Sequence, residues 1–342
     1  MSAIVRTRVL IAEDSEAMRN TLVTLLGEDP RIEVIGTAVN GREAVAMARS
    51  LRPDIVTMDI VMPYLDGVDA TAQIMSDSPR RILIVSSYVD SRQVDLAFRA
   101  IAAGALEVVA KPANSRPDEL RAWARRVCDA IVLMSEVPVI TRRGRAATAS
   151  GRTCDAVGIV ASTGGPPALA KLLALLPEEL EIPLFVAQHI ASGFTDGLVR
   201  WLSQVAKLRA VLAIDGQPPR RGNVYFAPDQ RDLEIGGDGL LHIPKSRDRH
   251  TPSGDRLLAS LARYYGARAG GIVMTGMGDD GAEGLFAIRE AGGATFAQSL
   301  ASCVVYGMPQ AALARGATTE LRSVEELAAV ISELAGSRQR RR

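Results

Sequence analysis

Short apolar runs recur along this chain, each ending in a polar residue and each followed by apolar residues at helical spacing. RVLIAE, IEVIGTA, DIVTMD, RILIVSS and ALEVVA fall within the first 134 residues. Runs of this length read as strands buried on both faces, and helices between consecutive strands make the strands parallel. Such crossovers are right-handed and lay helices on both faces of the sheet. The chain is thereby restricted to a doubly wound α/β fold, in which reactive groups gather at the carboxyl ends of the strands.

The pattern occurs twice. From residue 153 it restarts with CDAVGIVA, IPLFVAQ, LRAVLAI, GNVYFAP, GGIVMTG and GATFAQ. RDLEIGGDGLLHI reads as an inserted β-hairpin, with GGDG supplying the positive φ angles of its turn. Helical patterns follow Pro166, Thr195, Gly254, Gly281 and Ser323. The stretch 135–152, SEVPVITRRGRAATASGR, is basic and has no apolar period, so it reads as a linker. The expected organisation is α/β with two doubly wound parallel-sheet domains, 1–134 and 153–337, a linker at 135–152 and a basic tail at 338–342. A chain of 342 residues with 47% hydrophobic content is long enough to fill two cores.

A formal net charge of +1 gives no bulk electrostatic case for nucleic acid or an anionic membrane. Three widely spaced cysteines, an odd number, argue against a disulfide framework and for a reducing compartment. No apolar run reaches membrane-spanning length, and MSAIVRTRVLIAEDS lacks a signal-peptide layout. The expectation is a soluble cytoplasmic protein that binds no nucleic acid and does not insert in a membrane.

Glu13 and Asp14 end the first strand run, Asp59 the third and Ser86 the fourth; Lys111 follows the fifth. A parallel sheet brings these ends to one edge. Three carboxylates in one pocket repel one another and call for a hard cation; oxygen-only ligands suit Mg²⁺. Such a pocket can accept a phosphoryl group on one carboxylate while the cation and a lysine neutralise the developing charge. Through AEDS, MDIVMPYLDG, the serine pair and the KP dipeptide, residues 6–130 resemble the receiver domains of two-component response regulators, which are flavodoxin-like. The resemblance implies Asp59 as phosphoacceptor, Glu13, Asp14 and Asp59 as Mg²⁺ ligands, and Ser86 and Lys111 as the phosphate switch. It also implies Tyr88 as an aromatic switch residue and a cis Lys111–Pro112 bond.

In the second half, GIVASTGGPPALAKLL stops a strand run at Ser162 and opens a helix. The hydroxyl there can be a nucleophile, part of a phosphate cradle, or a helix cap. A nucleophilic serine needs a base, and the chain has three histidines. His242 lies in the hairpin and His250 in a charged loop, SRDRHTPSGD. His189 ends IPLFVAQ and so shares a sheet edge with Ser162. GGIVMTGMGDDGAEG places Asp279 and Asp280 at another strand end, where a carboxylate could orient the base. The order Ser, His, Asp differs from that of α/β-hydrolases, and VASTG is not their G-x-S-x-G elbow.

Together with the receiver, ASTGGP, QHIASGFT, TGMGDDGAEGL and SCVVYGMPQAA resemble the chemotaxis response regulator protein-glutamate methylesterases over nearly the whole chain. The resemblance implies a Rossmann-like catalytic domain with Ser162 as nucleophile, His189 as base and Asp280 as the triad aspartate. It implies an oxyanion hole of backbone near Thr163 and Met277. It further implies hydrolysis of γ-glutamyl methyl esters on chemoreceptor cytoplasmic helices with release of methanol, deamidation of receptor glutamines, no cofactor for hydrolysis, a chemotaxis histidine kinase as phosphodonor, and gating of substrate access by the receiver. Asp229 and Gly254 depart from the family's usual glycine and valine near the expected substrate cleft. Competing expectations are the same chemistry in a non-chemotaxis chemosensory pathway and a catalytically inert signalling adaptor. A nucleotide-binding module built on ASTGG lacks the P-loop lysine.

Overall fold

The computed structural model describes residues 6–87, 91–112, 116–135, 153–246 and 250–336. Tyr88, positions 136–152 of the linker and the tail at 338–342 lie outside the described residues. The chain divides into two compact units, Met1–Pro138 and Val139–Arg342.

The first unit runs β1 (Thr7–Ala12), α1 (Glu16–Gly27), β2 (Ile32–Ala38), α2 (Gly41–Leu51), β3 (Ile55–Met58), α3 (Gly67–Asp77), β4 (Arg81–Ser86), α4 (Ser91–Ala102), β5 (Glu107–Ala110) and α5 (Pro117–Ser135). Its five strands are all parallel, in the order β2-β1-β3-β4-β5. The chain leaves β1 toward β2 and returns to pair β3 on the other side. The crevice at this reversal lies between the ends of β1 and β3, where Glu13, Asp14 and Asp59 stand.

Polar residues start the helices at the points the sequence marks. Ser15 accepts from the Met18 amide, Asn40 from Glu43 and Asp66 from Asp69, each satisfying a first-turn N–H. One face of the sheet buries Val9, Ile11, Leu83 and Val85 against Leu22, Trp123 and Val127. The Trp123 indole N–H also donates to the Ala110 carbonyl at 2.8 Å, pinning the end of β5 just before Lys111. The Lys111–Pro112 bond is trans: the cis peptide among the described residues is Thr251–Pro252. The ordinary preference of an X–Pro bond prevails at Pro112.

The second unit has seven parallel strands in the order β14-β13-β12-β6-β7-β9-β8. In chain order these are β6 (Ala156–Ala161), β7 (Leu184–Gln188), β8 (Arg209–Leu212), β9 (Asn223–Phe226), β12 (Ala269–Val273), β13 (Ala294–Gln298) and β14 (Leu321–Arg322). Strands β10 (Glu234–Ile235) and β11 (Leu241–His242) form the separate antiparallel hairpin, whose turn has its positive φ at Gly239 alone. The helices are α6 (Gly165–Leu175), α7 (Thr195–Val205), α8 (Gly254–Tyr265), α9 (Ala282–Glu290), α10 (Gly307–Ala314) and α11 (Val324–Gly336). The two-residue β14 and the helix α10 go beyond the sequence expectation.

Strand β6 is the first of the unit and lies between β12 and β7. The chain passes from β7 to the edge strand β8, returns to β9 between them, then crosses back to β12. The reversal places the carboxyl ends of β12, β6 and β7 side by side. Beneath them Val160, Phe185 and Val273 pack on Leu257, Leu258, Leu261 and Leu285 of α8 and α9. This apolar layer holds the strand ends in fixed register.

Candidate active site

Ser162 follows β6 directly. Its N–H donates to the Thr275 carbonyl beyond β12, and its own carbonyl accepts from Gly165 N–H at 2.7 Å. Gly164 takes the left-handed conformation at the cap of α6, with φ 74°. The Gly165 amide is thus already used, Pro166 and Pro167 carry no N–H, and the Ala168 amide bonds to Gly164. The first turn of α6 therefore has no amide to offer a phosphate, and the cradle interpretation fails on this geometry. The Thr163 and Met277 amides, in contrast, donate to no internal acceptor among the described residues. Met277 sits in the turn after β12, and Gly276 beside it must be small. A Cβ there would lie 2.7 Å from the Ser162 Cβ.

His189 follows β7, and its Nε2 lies 2.7 Å from Asp280 Oδ2. Asp280 is 3% exposed, whereas its neighbour Asp279 is exposed to solvent. Two further bonds reach the buried carboxylate. The Gly254 N–H donates to Oδ2 at 2.6 Å and the Asp255 N–H to Oδ1 at 3.0 Å. Both amides belong to the first turn of α8, whose positive end faces the charge. Burial works against the ionised form of Asp280. The His189 bond and charge and the two amides outweigh it and hold the carboxyl below its ordinary value. Because Asp280 takes Nε2, the ring nitrogen left for proton transfer is Nδ1, the reverse of the serine-protease arrangement. No hydrogen bond joins the Ser162 hydroxyl to His189 among the described residues.

Three supporting side chains escaped the sequence reasoning. Gln188 donates its amide to the carbonyls of both Ser162 (2.9 Å) and His189 (2.8 Å), tying the two strand ends together. Thr275 is fully buried and donates to the Thr163 carbonyl at 2.9 Å while accepting from Val305 N–H. The available signal for both was a polar residue closing an apolar strand. His250 stacks on His189, with ring centroids 5.4 Å apart and planes 13° from parallel. Its charged loop carries no sequence signal of this contact.

The two departures from the family pattern have structural roles of their own. Asp229 accepts from Ser192 Oγ at 2.7 Å and Gly193 N–H at 3.0 Å, bracing the loop after His189. Gly254 lies under Asp280 and against Val160.

In the first unit, Glu13, Asp14 and Asp59 each offer one oxygen, all within 4.8 Å of one another. Lys111 Nζ bridges Glu13 Oε2 and Asp59 Oδ2, each at 2.7 Å. Burial and the Asp59 charge push the Glu13 carboxyl up to about 7 against the pull of Lys111. Three converging carboxylates, with no nitrogen or sulfur donor, fit a hard divalent cation. The Ser86 hydroxyl is not bonded to Asp59. It donates to the Ser87 carbonyl at 3.4 Å.

The second unit is thus a parallel α/β domain with the parts of a serine hydrolase at three adjacent strand ends. The first is a parallel α/β domain with an acidic strand-end pocket. Residues 157–331 match the CheB methylesterase family and residues 9–125 the response regulator receiver domain family. The chain belongs to the CheB methylesterase family and carries a receiver domain. It is 53% identical to protein-glutamate methylesterase/protein-glutamine glutaminase 3 of Myxococcus xanthus, over 94% of this chain and 92% of that one. It is 40% identical to the protein-glutamate methylesterase/protein-glutamine glutaminase of Nitrosospira multiformis, over 96% and 97% of the two chains. The crystal structure of the Thermotoga maritima CheB methylesterase catalytic domain superposes with a TM-score of 0.51 at 30% identity, over 53% of this chain and 99% of that one. No helix among the described residues is long and apolar enough to cross a membrane.

Proposed function

We propose that this chain hydrolyses γ-glutamyl methyl esters on the cytoplasmic helices of chemoreceptors and deamidates receptor glutamines to glutamate. The observation that carries the reading is the 2.7 Å contact of His189 with a buried, amide-held Asp280, on the strand adjoining Ser162. Ser162 Oγ attacks the side-chain carbonyl carbon, and its proton passes to His189 Nδ1. Asp280 holds the opposite nitrogen and stabilises the imidazolium. The Thr163 and Met277 amides donate hydrogen bonds to the tetrahedral oxyanion. His189 returns the proton to the departing oxygen and methanol leaves. A water, deprotonated by His189, then attacks the glutamyl-serine ester, and His189 gives that proton to the departing Ser162 Oγ, freeing the glutamate side chain. With glutamine the leaving group is ammonia. The Ser162–His189 hydrogen bond closes in the substrate complex, as such bonds commonly do. Every step uses side chains and amides of this unit and calls on no cofactor.

Asp59 is the phosphoacceptor for a chemotaxis histidine kinase. Glu13, Asp14 and Asp59 would hold Mg²⁺, which when bound supplies charge neutralisation at the phosphoryl oxygens. Lys111 pairs with the phosphate and Ser86 turns toward it. Phosphorylation relieves the receiver's restriction of substrate access. The enzyme works in the cytoplasm, where the receptor helices and kinase are found. The test is methanol release from methylated receptor membranes by the full chain, with and without a small phosphodonor. Release that rises with the donor and vanishes in Ser162→Ala is the expected result. Full release by Ser162→Ala refutes the assignment.

A further inference from the structure

We propose that His250 is a positioning residue for His189, holding the plane of the base by ring stacking so that Nδ1 stays turned toward Ser162. The proposal rests on the reading of Ser162 and His189 given above.

The bond from His189 Nε2 to Asp280 fixes one atom of the imidazole and leaves the ring free to swing about that contact. Nothing else among the described hydrogen bonds constrains its plane. His250 supplies the missing restraint. Its ring lies 5.4 Å from that of His189 and within 13° of parallel, inside the range of offset-stacked pairs. The His250 ring also reaches the turn after β12, where a Cβ on Gly278 would lie 3.9 Å from its Nε2. The ring therefore spans from the base to the turn that carries the Met277 amide.

The position of His250 in the chain adds to this. It lies four residues before Gly254, whose amide, with that of Asp255, grips Asp280. One short segment, 250–255, thus supports the base in two ways, through the carboxylate and through the ring face. His250 is only half-buried, so its ring stands at the edge of the site rather than deep within the unit.

The test uses the full chain and its His250→Ala, His250→Leu and His250→Phe variants, with wild type and Ser162→Ala as controls. The readouts are kcat and KM for methanol release from methylated receptor membranes, and the rate of Ser162 labelling by a fluorophosphonate. His250→Ala should lower kcat and the labelling rate about 10- to 100-fold with KM little changed, the size expected for a misaligned catalytic group. His250→Phe restores a stackable ring and should recover most of the loss; His250→Leu fills the space without a ring face and should not. Wild-type kcat in His250→Ala, or equal recovery by Leu and Phe, overturns the proposal. Equal methanol release by wild type and Ser162→Ala overturns the underlying reaction, and the proposal with it, and is a different result from either of those.

Discussion

The backbone N–H of Gly254 donates to Asp280 Oδ2 at 2.6 Å, and the side chain that Gly254 lacks would occupy the space filled by Val160. A Cβ at 254 would lie 2.8 Å from Val160 Cγ2, closer still to Cγ1, and 3.1 Å from the Asp280 carboxylate. Gly254→Ala is therefore expected to cost roughly 1–3 kcal/mol of stability by overpacking and to lower kcat by displacing Asp280. Val160→Ala in the same chain should return part of both losses. Urea unfolding and methanol release on the two single variants and the double variant form the test; additive losses would deny that the two residues share one space.

Asp280→Asn should lower kcat roughly 10³- to 10⁴-fold, since an amide presents the wrong partner to Nε2. Asp279→Asn should leave kcat near wild type, because Asp279 is exposed and makes no bond to His189. The larger loss at Asp279 would reverse the choice between the two.

The depressed pKa of Asp280 also fixes a pH dependence. A carboxyl held below its ordinary value of 3.8 in the folded state contributes stability that is fully present above that value. It is lost as pH falls through the lower, folded value. Unfolding free energy measured downward from pH 5 should therefore fall less steeply in Asp280→Asn than in wild type. Parallel curves would mean that the carboxylate is not stabilised in the fold.

Thr57 lies on β3 at 1% exposure, and its hydroxyl has no hydrogen-bond partner among the described residues. Thr57→Val keeps the shape and removes an unpaired polar group, so it should stabilise the first unit by about 1 kcal/mol. The midpoint of urea unfolding should move upward; a downward shift would show that the hydroxyl has a partner in solution.

Phosphate labelling by a small phosphodonor should require Mg²⁺, vanish on chelation and be absent in Asp59→Ala. Without a phosphodonor, a fragment beginning at Cys154 should release methanol faster than the full chain at equal concentration. A slower fragment would rule out restricted access as the main control.

The strand ends were legible in the sequence because a buried strand is a short apolar run, and the residue that stops it stands at the sheet edge. Ser162, His189, Asp59 and Glu13 are all of this kind. Gln188 and Thr275 carried the same signal but read as mere strand termini, since the carbonyls they bind appear only in three dimensions. His250 gave no signal, because its contact with His189 joins positions sixty-one residues apart through a loop with no period. Helix α10 was hidden by Gly307 and Pro309, residues that usually break helices; Pro309 falls in the first turn, where no N–H is needed. The positions of Asp229 and Gly254 were legible as unusual, and only their contacts show that one braces a loop and the other grips a carboxylate.

The paired prolines after Gly165 have a consequence for the company this catalytic unit keeps. It shares a chain with a response regulator receiver domain, and on the function proposed above it works among phosphodonors. A helix start with open amides would draw such anions to Ser162. With Pro166 and Pro167 in the first turn, the open amides beside Ser162 among the described residues are those of Thr163 and Met277, at separate strand ends. That arrangement suits one oxygen formed in place on a bound side chain, and gives a free tetrahedral anion no cradle.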